Sequence, residues 1–114
     1  MVNKNILVLE KMKNYALKVI KYAEELNFEE FLKDTKTIEA CVFNMSQIGE
    51  LVKLIDKNII DKYSNVSWLA IKNLRNKIVH DYEGIQFNVI WSIIDKNLPQ
   101  LVKDIEKIIK NEKN

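Results

Sequence analysis

The sequence predicts an all-α protein, an antiparallel up-down bundle of about four to five helices, on two observations. The chain holds only two glycines and one proline in 114 residues, too few for the many turns of a β-sandwich. Apolar residues recur at steps of three and four along most of it, which is the period of an amphipathic helix. Without a linker, low-complexity tract or internal repeat, residues 1–114 are expected to form one domain.

The first helix is predicted over roughly residues 5–26, where one apolar stripe continues without a break. Asn27 then stands two residues before a pair of glutamates, a pattern typical of a helix cap followed by an acidic first turn. A short helix at about residues 28–32 should follow this cap.

The second long helix is predicted at about residues 35–57, with Asp34 or Thr35 as its cap. Its apolar residues form two rows. The inner row is Ile38, Cys41, Val42, Met45, Ile48, Val52 and Ile55, and the second row is Ala40, Phe43, Leu51 and Leu54. A helix apolar over so much of its circumference must be buried on more than one side. Two covers remain open for the second row, a second copy of the chain or the domain's own other helices.

Three further helices are predicted in the C-terminal half. Residues 58–67 should form the longest connection, followed by a third helix from Trp68 to about residue 80 or 82 that Gly84 ends. A fourth helix is expected at about residues 87–94. Pro99 fits the first turn of a fifth helix, which continues to about residue 109.

Composition argues against several classes of function. The formal charge of +2 gives no strong basic field of the kind that nucleic-acid-binding proteins often carry. Cys41 is the only cysteine, which excludes an internal disulfide and favours a role in core packing, and one cysteine with one histidine makes no recognisable metal site. No glycine-rich phosphate loop, signal peptide or membrane-spanning segment is recognisable. We therefore expect a cytoplasmic protein without a cofactor or metal.

The most informative segment is Arg75-Asn76-Lys77-Ile78-Val79-His80-Asp81-Tyr82, which contains the only arginine and the only histidine of the chain. Every other basic residue is a lysine, so an arginine here indicates a site that needs the planar guanidinium, whose donors match a phosphate. Histidine is the side chain best suited to transfer protons near neutral pH. The segment therefore places a phosphate-binding group beside a proton-transfer group.

One helix does not bring these two groups onto one face. At 100° per residue, Arg75 and His80 lie about 140° apart around the axis and roughly 7.5 Å apart along it. Asn76 and His80 are i,i+4 neighbours on one polar arc. If two copies pack these helices around a two-fold axis, both arginines and both histidines meet in one cleft. The geometry thus favours a homodimer with a composite site.

Such a cleft could cleave RNA without a metal, because a neutral His80 could take the proton of a ribose 2′-OH while Arg75 stabilises the charge on phosphorus oxygens. Two other interpretations stay open. The chain could be a non-enzymatic module that uses Arg75 to hold a nucleotide or presents Tyr82 to a partner, or a dimeric scaffold whose motif only stabilises the interface. An arginine and a histidine at this spacing are also common as plain surface residues.

The eight residues resemble the Arg-Asn-x-x-x-His-x-Tyr signature of HEPN-domain ribonucleases, specifically the HepT toxin family. The similarity extends over essentially the whole chain. Further matching positions are Asp34, Ile48-Gly49-Glu50, Trp68, Trp91, Leu98-Pro99 and Leu101. The resemblance implies a HEPN-like helical bundle that forms a two-fold dimer, with Arg75 and His80 of both subunits as catalytic residues and Asn76 in a supporting role.

The resemblance also implies an RNA substrate and a toxin–antitoxin pairing with a nucleotidyltransferase of the MntA type. In that pairing the antitoxin attaches AMP to the tyrosine of the signature, here Tyr82. A helix would place Tyr82 about 20° around the axis from Arg75, at the border of the same cleft. A phosphate added there would lie beside Arg75 and occupy space that RNA needs.

Overall fold

The computed structural model describes residues 3–113, and most of them are helical. The helices, numbered in chain order, are α1 Lys4–Ala23, α2 Phe28–Lys33, α3 Thr35–Leu51, α4 Lys57–Lys62, α5 Trp68–Lys72, α6 Leu74–Glu83, α7 Phe87–Ser92 and α8 Leu98–Lys113. A turn of 3₁₀ helix, Val52–Leu54, follows α3, and a π-helical turn, Ile93–Asn97, joins α7 to α8. The predicted all-α bundle is confirmed.

The bundle is arranged around α1, which packs against both α3 and α8, while α6 packs against α3. The inner row of α3 lies in the core as predicted, except that Val42 is only half-buried. Cys41 is fully buried, and burial raises the pKa of its thiol to about 12. A thiol that stays protonated in the core acts as a small apolar side chain.

The caps of the first three helices explain where these helices begin. The side chain of Asn3 accepts from the N–H groups of Asn5 and Ile6 at the start of α1. Asn27 and Glu30 form the reciprocal capping box of α2, with bonds of 2.8 and 3.0 Å. Of the two candidates for α3, Asp34 is the cap, and the N–H that Thr37 donates to it at 3.0 Å lowers the pKa of its carboxyl group. The first helix ends at Ala23, earlier than the predicted residue 26.

The prediction of one helix over residues 35–57 is wrong at its C-terminal end, and so is the long connection at residues 58–67. The helix tightens into the 3₁₀ turn and stops at Ile55, whose backbone is extended. Asp56 then starts the short helix α4, and the buried Asn5 of α1 fixes it there. The side-chain oxygen of Asn5 accepts from the N–H of Asp56 at 3.0 Å, and its amide donates to the Asp56 carboxylate at 3.2 Å. The contact between Asn5 and Asp56, which are 51 positions apart in sequence, thus explains why the helix that begins with α3 does not continue to residue 57.

The predicted third helix is interrupted once, at Asn73, between α5 and α6. Helix α3 crosses the junction at Gly49, where the two backbones touch. A Cβ on Gly49 would lie 2.8 Å from the backbone nitrogen of Arg75 and 3.2 Å from the carbonyl oxygen of Ile71. The interruption therefore coincides with a close approach of the α3 backbone.

The predicted fourth and fifth helices form one continuous rod rather than two helices with a link. In the π turn between them, the N–H of Leu98 donates to the carbonyl of Ile93, five residues back. Pro99, which follows at once, has no N–H, and in an uninterrupted α-helix its ring would press on the carbonyl of Asp95. The wider π turn changes the hydrogen-bond pattern where the proline would conflict with it.

Helix α6 ends at Gly84 as predicted, but the glycine does not supply the left-handed residue. Gly84 has φ −82°, and the positive φ of 57° falls on Ile85. The N–H of Gln86 donates to the carbonyl of Asp81 at 2.7 Å and that of Ile85 to Tyr82 at 3.2 Å. This is the hydrogen-bond pattern of a Schellman motif, which normally has glycine in the position of Ile85.

Ile85→Gly is expected to raise the free energy of unfolding by about 1 kcal/mol. A left-handed conformation costs a side-chain-bearing residue roughly 1–2 kcal/mol, and Ile85 is 73% exposed, so little packing is lost. Part of the gain is offset by the flexibility of glycine in the unfolded chain. Urea denaturation followed by circular dichroism measures the change. A loss of stability would mean that Ile85 makes an apolar contact in the assembled protein that outweighs its strain.

Among residues 3–113, no helix combines the length and the apolar character that crossing a bilayer requires.

Candidate active site

All four predicted site residues lie on α6, so one short helix carries them. Gly49 sets how closely this helix approaches α3, because its missing side chain lets the α3 backbone touch the nitrogen of Arg75. The apolar face of α6 is held in the core by Leu74 and Ile78. The position of the motif therefore depends directly on the crossing with α3.

The α3–α6 groove is an open depression of about 650 Å³ between these two helices. Its lining residues are Glu39, Val42, Phe43, Ser46, Gln47 and Glu50 from α3, with Arg75, Val79 and Tyr82 from α6. The groove brings Arg75 and Tyr82 together, as the helical geometry predicts. It does not include His80.

The guanidinium of Arg75 is exposed and available to an anion. Its Nη1 donates to the side-chain oxygen of Asn76 at 3.2 Å, and among residues 3–113 it forms no salt bridge. The groove also contains two carboxylates, those of Glu39 and Glu50, and the latter pairs with Lys53 at 3.3 Å. Within one chain the groove is thus of mixed charge.

His80 lies outside the groove, with 84% of its side chain exposed. Its Nδ1 is 3.6 Å from Oδ1 of Asp81. The geometry agrees with the helical-wheel argument, in which Arg75 and His80 point in different directions from one helix. The α3–α6 groove of a single chain therefore contains Arg75 without His80.

Tyr82 is half-buried at the edge of the groove, and its ring packs against Phe87 with the centroids 6.1 Å apart. Trp68 and Trp91, which also match the family pattern, support the fold around the motif. The indole of Trp68 donates to the carbonyl of Tyr63 at 2.9 Å, and the ring of Trp91 packs against Phe31 at 4.9 Å. These two tryptophans hold the elements that flank α6.

The domain's own helices cover only part of the second apolar row of α3. Phe43 is 59% exposed and Leu54 is 51% exposed, whereas Ala40 and Leu51 are half-buried. The sequence left two alternatives for burying this row, a second copy of the chain or the domain's own helices. The second alternative is wrong for Phe43 and Leu54.

Two residues close to the predicted site residues were not selected from the sequence pattern alone. Gly49 was identified only as part of the resemblance, although a glycine inside a helix usually has a packing reason. Asp81 was not selected at all, yet it is only 4% exposed and contacts His80. Within the described residues, no three His, Cys, Asp or Glu side chains are grouped as metal ligands would be.

An all-α, HEPN-like bundle with arginine, histidine and tyrosine of this signature on one helix defines the class of the protein. The chain belongs to the HepT-like ribonuclease family, because residues 12–108 match the sequence profile of the family described as Ribonuclease HepT-like. The predicted family is thereby confirmed.

Individual relatives agree with this assignment. A predicted RNase of Methanocaldococcus jannaschii is 39% identical over 104 residues, which cover 91% of this chain and 83% of the relative. A predicted RNase of Caldanaerobacter subterraneus is 36% identical over 95 residues, or 83% and 85% of the two chains. A protein of Thermococcus cleftensis, named as a predicted ribonuclease HepT, is 30% identical over 89 residues, or 78% and 81%. No solved structure gave a significant match.

Proposed function

We propose that this ribonuclease is a metal-independent endoribonuclease that acts in the cytoplasm as the toxin of a HepT/MntA-type toxin–antitoxin pair. The observation that carries the proposal is the state of the two motif side chains. Arg75 is exposed and has no salt bridge among the described residues. His80 follows five residues later on the same helix and is exposed as well. Both groups are thus free to contact a substrate.

The active unit is a homodimer in this proposal. The groove of one chain sets the single Arg75 against Glu39 and Glu50, which gives an RNA backbone little net attraction. A second chain placed over the exposed Phe43 and Leu54 would bury their apolar surface. Two-fold packing along this face would also bring both motif helices into one cleft, where Arg75 of one chain supports His80 of the other.

Phe43→Asp is expected to convert the dimer into monomers. An aromatic side chain at the centre of an interface typically contributes about 2 kcal/mol or more, which is roughly 30-fold in the dissociation constant. Sedimentation at micromolar concentration measures the change. The control is Leu17→Asp, which alters an exposed apolar residue of α1 and should leave the dimer intact. A parent protein that sediments as a monomer would remove the composite site.

The chemistry we propose needs only the protein and the ribose 2′-OH. A neutral His80 takes the proton of the 2′-OH at Nε2, while the 2′-oxygen forms a bond to the adjacent phosphorus. The bond from phosphorus to the 5′-oxygen then breaks, and that oxygen takes a proton from the protonated His80 of the other subunit. Arg75 stabilises the charge on the non-bridging oxygens throughout. The products are a 2′,3′-cyclic phosphate and a free 5′-OH.

A cleavage assay on single-stranded RNA tests this function. Incubation of the purified dimer in EDTA should give fragments that end in a 2′,3′-cyclic or 3′-phosphate, as mass spectrometry would detect. The all-DNA version of the same oligonucleotide is the control, and it should stay intact because it has no 2′-OH. Equal cleavage of both substrates would rule out the proposed nucleophile.

Control of the toxin is proposed to act at Tyr82. Its ring borders the groove that contains Arg75, so an AMP group on its hydroxyl would place a phosphate beside the guanidinium. A charge-assisted contact of that kind is worth roughly 1.5–3 kcal/mol, and the nucleotide would also fill the groove. The MntA-type nucleotidyltransferase is the proposed source of the AMP.

Tyr82→Phe is expected to remain active and to resist neutralisation by the nucleotidyltransferase. Coexpression of the parent with that enzyme should add one or more AMP units to Tyr82, measured by mass spectrometry of the peptide. The control is Tyr22→Phe, which removes a tyrosine hydroxyl on α1 from a residue that is 44% exposed and should change nothing. If the Tyr82 variant is silenced as fully as the parent, the partner acts by occlusion and not by modification.

A non-enzymatic role as a nucleotide-binding or partner-binding subunit of a nucleotidyltransferase complex is the second candidate. It is favoured by the fact that Arg75 and Tyr82 share a groove from which His80 is absent. Binding of a nucleotide phosphate there would need the arginine but no proton carrier. Retained partner binding with no RNA cleavage by the parent dimer would favour this role.

A further inference from the structure

Asp81 is the least expected side chain of the motif helix on physical grounds. It lies in the last turn of α6, where the negative end of the helix dipole disfavours a carboxylate. It is also 4% exposed, and burial of a charged group is unfavourable unless hydrogen bonds compensate it. Its Oδ2 is buried without a hydrogen bond. A residue that violates three local preferences calls for a compensating interaction.

The two oxygens of this carboxylate face different partners. Lys77 Nζ lies 3.2 Å from Oδ2 as an ion pair, without hydrogen-bond geometry. The other oxygen, Oδ1, lies 3.6 Å from Nδ1 of His80. That distance is longer than a hydrogen bond. The imidazole, however, is 84% exposed, so solvent surrounds most of it and a small side-chain rotation can close the gap.

We propose that Asp81 is a positioning residue for His80, an inference that rests on the proposed ribonuclease function. An ionised carboxylate can only accept hydrogen bonds. When it pairs with Nδ1, the proton of the neutral imidazole must reside on Nδ1, and the lone pair is left on Nε2. The base thus faces outward in the tautomer that can take a proton from a 2′-OH. The same contact limits rotation of a side chain that nothing else restrains on its own helix.

The competing account is that Asp81 serves only as the i,i+4 partner of Lys77. A lysine that precedes its acidic partner by four residues is the less favourable order on a helix, and the Lys77 side chain is 53% exposed. This account also leaves the approach of Oδ1 to the imidazole without a purpose. The two accounts differ in the tautomer of His80.

That tautomer can be measured without ambiguity, because His80 is the only histidine in the chain. The probe is the folded dimer labelled with ¹⁵N, and its imidazole nitrogens are recorded by NMR at alkaline pH, where the ring is neutral. We expect the Nδ1–H form to predominate in the parent. Asp81→Asn should move the ring toward the Nε2–H form, because the new amide can donate to Nδ1. Lys77→Met removes the other partner of Asp81 and should leave the tautomer unchanged.

Cleavage kinetics supply the second readout. Asp81→Asn should lower kcat by about 10- to 100-fold with little change in KM, by analogy with the loss of a carboxylate that orients a metal-bound histidine. An Nε2–H ring in the parent, or an unchanged ring in a folded Asp81→Asn variant, would overturn the proposal. The parent spectrum decides the question even if that variant does not fold. Absence of RNA cleavage by the parent would refute the proposed function alone, since the tautomer is read independently of activity.

Discussion

His80→Ala is expected to lower the rate of RNA cleavage by about 10²- to 10⁴-fold, the usual loss when a general acid or base is removed. The effect should fall on kcat, because the imidazole acts on the proton of the reacting hydroxyl and not on binding. A dimer of the variant lacks both the base and the acid in its cleft, because each subunit supplies one of these two groups. Single-turnover cleavage of a labelled RNA oligonucleotide measures the rate.

Arg75→Ala should produce a loss of similar size, and Arg75→Lys should recover little of it. The guanidinium offers five N–H donors in a planar fork, whereas an ammonium is a point charge that cannot contact two phosphate oxygens in parallel. Among residues 3–113, the guanidinium of Arg75 donates only to the side chain of its neighbour Asn76. The cost of these variants therefore reports on contact with the substrate.

The fold should not change in these variants, because both side chains are exposed. Urea denaturation should agree with that of the parent to within about 0.5 kcal/mol, as is usual for surface substitutions. Lys21→Ala removes an exposed cation from α1 and serves as the charge-matched control, with an unchanged rate. Full activity of His80→Ala would exclude general-base catalysis by this residue and favour the binding role.

Local sequence predicts the helices that have a clear apolar stripe and a capping residue. It fails where a residue distant in sequence determines the end of a helix. Val52 and Ile55 continue the inner row of α3, so the periodicity predicts helix through residue 57. Asn5 overrides it by holding the backbone of Asp56 from across the bundle. The continuous rod of α7 and α8 was missed for another reason. A proline is read as the start of a helix, and the π turn that accommodates it gives no signal in composition.

Some features of the candidate site can likewise be predicted from the sequence, and others depend on tertiary packing. The rarity of arginine and histidine in a lysine-rich chain is visible in the sequence, and both residues lie on α6. Burial is a tertiary property, so nothing local marks Asp81 as a buried carboxylate next to His80. Phe43 is likewise seen to be exposed only once the helices are packed, and this exposure shows that the domain's own helices do not bury it.

Gly49→Ala is expected to reduce RNA cleavage by about 10²-fold, the order of loss that a displacement of roughly 1 Å in an active site can cause. The added Cβ would lie 2.8 Å from the nitrogen of Arg75 and 3.2 Å from the carbonyl oxygen of Ile71. Both atoms belong to the backbone and cannot rotate away, so α6 must move off α3. Overpacking of this kind typically costs about 1–3 kcal/mol, which urea denaturation would measure beside the cleavage rate.

The other glycine of the chain provides the control. A Cβ on Gly84 would meet the carbonyl oxygen of His80 at 3.2 Å, but this residue is exposed at a helix end with an ordinary φ of −82°. Gly84→Ala should therefore leave stability within about 0.5 kcal/mol of the parent. If Gly49→Ala folds and cleaves RNA like the parent, the crossing does not control the motif.

A double variant separates a local effect on Arg75 from general damage to the bundle. If Gly49 acts by setting the position of Arg75, then Gly49→Ala should cost little further activity once Arg75 is already alanine, because the two substitutions remove the same contribution. Independent damage would instead multiply the two losses. The cycle needs four rate measurements under single-turnover conditions, with each protein shown to be folded at the assay temperature. Non-additivity would tie the only glycine of α3 to the only arginine of the chain through the backbone contact that joins them.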